Sequence, residues 1–114
     1  MSESGLFENL PEGVQLLRWP HSHRLPESEI VAYFSAHERD CSRWDKEANA
    51  EYPAHDHAYQ KILFCVEGEM TFTLAETGIE IPLKPGDRLI IPKGVRHSAV
   101  VGPDGVSCIE ARES

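Results

Sequence analysis

The chain is 114 residues long, enough for one domain with a single core and too short for a second catalytic unit. Its 11 lysines and arginines stand against 19 aspartates and glutamates, a net charge of −8 at pH 7. That balance argues against nucleic-acid binding and against docking on anionic lipid, both of which need a basic surface, and it favours a soluble protein.

No apolar run approaches the roughly 20 residues of a membrane span. The start, Met1-Ser2-Glu3-Ser4-Gly5, has neither the basic nor the apolar region of a signal peptide. Cys41, Cys65 and Cys108 are far apart, odd in number and without a CxxC pair. They read as reduced thiols in a cytoplasmic protein, with Cys65 and Cys108 as small core residues.

Residues 1–12 are polar and are expected to fray or drape over the surface. Over 13–19, Val14, Leu16, Leu17 and Trp19 suit a short strand that Pro20 stops. His21 and His23 form an HxH pair in a proline-bounded polar loop, with no apolar strand behind it, and read as solvated. Pro26-Glu27-Ser28-Glu29 opens a helix, since proline suits a first turn and acidic residues complement the helix dipole. Ile30, Val31 and Phe34 fall near helical spacing, so one helix is expected at 27–38, with its apolar stripe on the main body and His37 near its end.

From Cys41 onward the pattern changes to short strands. They are expected at 41–45, 52–57, 60–66, 69–75, 79–83, 88–91, 96–101 and 106–111. Turn signals lie at Glu67-Gly68, Thr77-Gly78, Pro85-Gly86, Pro92-Lys93-Gly94 and Gly102-Pro103-Asp104-Gly105. Many short strands at regular spacing predict a sandwich or small barrel. Met70, Phe72 and Leu74 alternate with polar residues, the mark of a half-buried strand.

One stretch carries chemistry. His55-Asp56-His57 runs into the apolar segment Ile62-Leu63-Phe64-Cys65-Val66. On an extended chain His55 and His57 point to the same face. His97, on a later strand with Ala99 and Val101 on its face, is placed to complete a cluster. Neutral imidazole suits Zn, Fe, Ni or Cu. Three protein ligands with open positions make a catalytic rather than a structural site.

These stretches together resemble the paired motifs of the cupins. The first, G-x5-HxH-x3,4-E-x6-G, is met at His55, His57 and Gly68, with Asn49 at its first glycine and Lys61 at its glutamate. The second, G-x5-PxG-x2-H-x3-N, is met at Gly86, Pro92, Gly94 and His97, with Val101 at its asparagine. The chain is similar over roughly residues 41–111 to a small single-domain cupin of the RmlC-like jelly-roll superfamily.

Lys61 is the informative departure. In metal-binding cupins that place is usually glutamate, sometimes glutamine or histidine, and an ammonium group has no lone pair to offer. Three outcomes stay open. Lys61 turns to a carboxylate and leaves a three-histidine metal site. Gln60 supplies a carbonyl oxygen through a local bulge. Or lysine and histidines bind an anionic ligand without metal. Glu110, on the last strand, is the carboxylate expected to pair with a buried Lys61. Arg96 should face away from the cavity, Tyr59 should pack at the core or rim, and Cys65 should be a buried thiol.

The resemblance implies an all-β cupin barrel, a double-stranded jelly roll with an N-terminal arm and one short helix. Residues 1–40 would form the arm and helix packing on the barrel, and 41–114 the barrel itself. It implies a divalent metal (Zn, Fe, Ni or Mn) held by His55, His57 and His97. The residues themselves, not the resemblance, suggest catalytic roles for Lys61, which would orient an anionic group or assist proton transfer, and for its expected partner Glu110. The activity would be that of an oxygenase or isomerase on a small organic substrate. The competing expectation is a metal-free module that binds or senses a small molecule. A homodimer is expected, with Ile62, Phe64 and Val66 offering an apolar outer face.

Overall fold

A computed structural model of the chain describes residues 6–114. These residues form β1 Phe7–Asn9, β2 Gln15–Leu17, α1 Glu27–Ala36, β3 Ser42–Lys46, β4 Glu51–His55, β5 Gln60–Leu74, β6 Glu80–Leu83, β7 Arg88–Ile91 and β8 His97–Glu113. Every strand pairing is antiparallel.

Two long strands organise the molecule. β5 and β8 pair along nearly their whole length, from Gln60 opposite Glu113 to Leu74 opposite His97. The Gln60–Cys65 half of β5 and the facing half of β8 continue into β7, β2 and β1 on one side and into β3 on the other. The Met70–Leu74 half of β5 and the facing half of β8 carry β6 and β4. Each long strand therefore belongs to both layers of a jelly-roll barrel, and the chain is mostly β with one helix, as expected.

The turn signals at Glu67-Gly68 and at Gly102–Gly105 do not separate hairpin strands. Both mark the corner at which the long strands change layer. Between the pairs Gly68–Val106 and Met70–Val101, the residues Gly102, Pro103, Asp104 and Gly105 all face Glu69 alone. A second irregularity, between the pairs Cys65–Cys108 and Glu67–Ser107, puts one extra residue, Val66, into β5 and shifts its side-chain alternation. Leu63 and Cys65 face the core before it, and Met70, Phe72 and Leu74 after it. Gly68 has φ +71°, and a Cβ there would stand 2.0 Å from the Gly105 carbonyl oxygen. Only glycine permits both the left-handed backbone and that approach.

The outer face of the sheet is a second apolar layer. Ile62, Phe64 and Val66 of β5 lie there with Ile109 and Ala111 of β8. The sequence offered this face to a second copy of the chain. Instead α1 covers it with Ile30 and Phe34, which are 1% and 0% exposed. The two residues stand four apart on one helix stripe, and just beyond the helix Arg39 pairs with Glu113 at the end of β8. The helix ends at Ala36, short of residue 38, because Glu38 turns left-handed at φ +55°. His37 lies at this end, where its Nδ1 donates to the Tyr33 carbonyl at 2.7 Å. Ile30→Val should lower unfolding free energy by about 1 kcal/mol, the cost of one buried methylene. Urea denaturation reads this, and an unchanged midpoint would mean that the helix is not packed on the sheet.

The N-terminal arm also differs from expectation. Residues 1–5 lie outside the described residues. Beyond them the chain does not drape, because Phe7–Asn9 pairs with β2 and β2 pairs with β7, which extends the barrel's own sheet. β2 is shorter than the 13–19 stretch expected. No helix among the described residues is long and apolar enough to cross a membrane. Cys65 and Cys108 are buried, Cys41 is half-buried, and all three are free.

Candidate metal centre

Strand pairing builds the site. The register of β4 on β8 sets His55 directly opposite His97. β4 ends at His55, and the chain then bends to bring His57 beside both. The Gly94 N–H donates to the His57 carbonyl at 2.9 Å, which ties the loop before His97 to the HxH segment. Gly86 closes the turn ahead of β7 with φ +93°, and Trp19 packs where a Cβ would stand, 2.4 Å from that position. The buried Asp87 carboxylate anchors the same turn by accepting from the Trp19 N–H at 2.9 Å, the Lys84 N–H at 3.0 Å and Arg18 at 2.8 Å. Asn49 has φ +63°, a left-handed conformation that asparagine tolerates, so it can occupy a place where the motif has glycine.

His55, His57 and His97 each present a ring nitrogen, and the three lie within 4.8 Å of one another. His55 Nδ1 donates to the Pro53 carbonyl at 2.6 Å, and His97 Nδ1 donates to the Val95 carbonyl at 2.9 Å. A carbonyl only accepts, so each neutral ring keeps its proton on Nδ1 and a bare lone pair on Nε2. His97 Nε2 is buried and has no hydrogen-bond partner among the described residues. His55 Nε2 and His57 Nε2 stand 3.1 Å apart.

This donor set fits a divalent ion. Two nitrogens bound at about 2.0–2.1 Å to one ion stand at most about 4.2 Å apart. The closer pair already meets that limit, and sub-ångström closing brings in the rest. The electrostatics agree. Burial, then the positive neighbour Lys61 and the other two imidazoles, push His57 down to about 4 from the ordinary 6.5. Burial also lowers His97. Both rings are therefore neutral and carry lone pairs at pH 7.

The same shift makes the metal-free protein acid-sensitive. The unfolded chain takes up a proton on His57 near 6.5, while the folded chain resists until about 4. Stability from this group is complete above about pH 6.5, falls as pH drops through that window, and is flat below about 4. The urea midpoint of metal-free protein should therefore be lower at pH 5 than at pH 7, and equal midpoints would contradict it.

Lys61 and Glu110 meet in the same cavity. Lys61 Nζ lies 3.7 Å from Glu110 Oε1, with side-chain exposures of 14% and 8%. On the β5–β8 ladder Leu63 is opposite Glu110 and Lys61 is opposite Arg112, so the pair is diagonal. Glu110 also accepts from Trp44 Nε1 at 2.7 Å and from Arg112 Nε at 3.5 Å.

Gln60 is a correction. The pairing of Gln60 with Glu113 and of Lys61 with Arg112 runs without a bulge, so Gln60 keeps the opposite face. Its amide donates to Glu113 Oε1 at 3.2 Å, and it does not line the cavity. Tyr59 stacks on His57 with ring centroids 4.7 Å apart, while Arg96 is exposed. Cys65 is fully buried.

The cavity measures about 550 Å³. Besides the histidines, Lys61 and Glu110, its walls include Trp44, Tyr52, Met70, Phe72, Lys46 and Arg112. The sequence reading missed Trp44 and Arg112. The alternation Cys108, Glu110, Arg112 could have shown the second. Nothing local signals that β3 pairs with β8 and sets Trp44 opposite Cys108.

Comparison with known proteins agrees with this geometry. The fold matches an RmlC-like cupin from Shewanella frigidimarina at TM-score 0.57 and 21% identity, over 94% of this chain and 81% of that one. It matches a conserved protein with a double-stranded β-helix domain from Klebsiella pneumoniae at TM-score 0.56 and 25% identity, over 64% of each chain. It also matches the DMSP lyase DddQ from Ruegeria pomeroyi at TM-score 0.59 and 24% identity, over 65% of this chain and only 37% of the lyase. No curated protein sequence matches. The family model described as the cupin domain matches residues 43–107, more than half of the chain. With both histidine motifs converging inside a jelly-roll barrel, the chain belongs to the cupin family.

Proposed function

We propose that this cupin is a metal-dependent enzyme, an oxygenase or isomerase, acting on a small anionic organic substrate. His55, His57 and His97 would be its metal ligands. The observation that carries the reading is His97 Nε2, a buried lone pair without a protein partner beside two more imidazoles. A bound Zn, Fe, Ni or Mn ion would supply Lewis-acid polarisation of a substrate oxygen and, where redox-active, electrons for dioxygen chemistry.

The chain's own residues do the rest. Lys61 offers N–H donors to an anionic substrate group, and Glu110 holds the ammonium in place. Lys46 and Arg112 add positive charge to the wall of a protein that is acidic as a whole. Trp44, Tyr52 and Phe72 supply an apolar surface that excludes water around the substrate. The three free thiols suit a cytoplasmic setting.

One observation favours a second reading, a binding or sensing cupin without metal. Lys61 puts positive charge where the family usually has a glutamate ligand, which works against cation binding. Elemental analysis of freshly purified protein separates the two, together with thermal shifts on adding Zn, Fe, Ni or Mn. Metal near one ion per chain supports the enzyme. A metal-free chain whose melting point ignores all four ions supports the binding module.

A further inference from the structure

A second cavity, of about 520 Å³, lies on the outer face of the sheet, between α1, the N-terminal arm and β7. Its volume falls in the range of roughly 300–1,000 Å³ typical of small-molecule sites. Arg88 lies on the sheet here, with Leu17 of β2 and Phe64 of β5 as its direct cross-strand neighbours. Tyr33 of α1 covers it, with its ring centroid 5.7 Å from the guanidinium carbon and its hydroxyl accepting from Nη1 at 3.2 Å. Trp19, Leu25 and Ile30 complete the apolar walls.

Arg88 lacks a counter-charge. Arg18, Arg24, Arg39, Arg43 and Arg112 each have a carboxylate within 4.0 Å; among the described residues Arg88 and Arg96 form no ion pair, and of these two Arg96 is exposed while Arg88 is half-buried. Glu29, the single acidic residue in the lining, is not within that distance of it. Two buried side-chain nitrogens among the described residues have no hydrogen-bond partner, His97 Nε2 and Arg88 Nε. The first lies in the metal centre. The second is a half-buried cation on an apolar floor, an arrangement that is costly without an anion.

We propose that this cavity binds a small carboxylate with a flat apolar body. The carboxylate sits at the Nη end of the Arg88 guanidinium, whose two planar amino groups match two carboxylate oxygens, while Nε stays shielded behind it. The body lies against the apolar walls made by Trp19, Leu25 and Ile30. The site is separate from the histidine cavity and is occupied whether or not metal is bound there.

Benzoate, with benzamide as its neutral isostere, tests this on the full 15N-labelled chain by amide chemical shifts. Benzoate should give saturable shifts at Leu17, Tyr33 and Arg88, and benzamide should bind about tenfold or more weakly, as loss of a charge-assisted pair requires. Arg88→Met should weaken benzoate by a similar factor while the variant still melts cooperatively. Leu25→Trp, which fills the rim and leaves Arg88 intact, should block it too. Shifts confined to His55, Lys61 and His97, equal binding of benzamide, or undiminished binding by Arg88→Met would each overturn the proposal. The first of these outcomes would leave the proposed function standing.

Discussion

On the proposed function, replacing His97 with alanine should lower the bound metal from about one ion per chain to almost none by elemental analysis. His97 is the fully buried member of the cluster, 1% exposed, while His55 and His57 are half-buried. Its Nδ1 is committed to the Val95 carbonyl, so its Nε2 has no other use in the fold. Removing one of three imidazoles leaves two ligands, too few to hold a divalent ion against solvent. A ligand present at 100 times its dissociation constant stabilises a fold by about 2.7 kcal/mol. For a domain of this size that is roughly 10 °C in melting temperature. Chelation should therefore lower the melting point of the native chain by about that amount and leave His97→Ala unmoved. The substitution also opens a cavity in the core, so metal content and chelator response decide the matter rather than stability alone. A His97→Ala protein that keeps its metal would remove the cluster from consideration.

Glu110→Ala should cost about 3–5 kcal/mol of stability, the range for leaving one member of a buried ion pair alone. The change strands the Lys61 ammonium at 14% exposure and removes the acceptor that Trp44 Nε1 reaches at 2.7 Å. Glu110→Gln keeps an acceptor for the indole and should cost less. Combining Glu110→Ala with Lys61→Met should recover part of the loss, since the stranded charge is then gone. The measurement is urea unfolding of all four proteins. If Glu110→Ala lost less than about 1 kcal/mol, the pair would behave like a solvated surface bridge, and Lys61 would not be a fixed element of the cavity.

Lys61 also shows how far a motif match reaches. Its register in the first motif and its side-chain parity with Leu63 and Cys65 were visible in the sequence. Its partner was an inference from a lone acid on an apolar strand, and only the diagonal register of β5 on β8 puts the two charged ends 3.7 Å apart. Gln60 failed for the same kind of reason. Whether a bulge frees the neighbouring residue depends on the partner strand, and here the ladder around Gln60 and Lys61 is regular.

The sequence by itself determined what depends on near neighbours. Alternation along an extended chain put His55 and His57 on one face, and the turn residues Gly86, Pro92 and Gly94 delivered His97 on a strand of its own. The proline-led acidic turn at residues 26–29 placed α1. Tertiary structure alone decided what depends on register between distant segments. It joined the two halves of β5 through the corner at Gly68, because β8 offers a continuous ladder on both sides of it. It chose the face of Ile62, Phe64 and Val66 as the one that α1 covers. It also brought Trp44 to Glu110, and set Arg88 between Leu17 and Phe64. Pairings of that kind join strands tens of residues apart, and no local pattern records which partner a strand will meet.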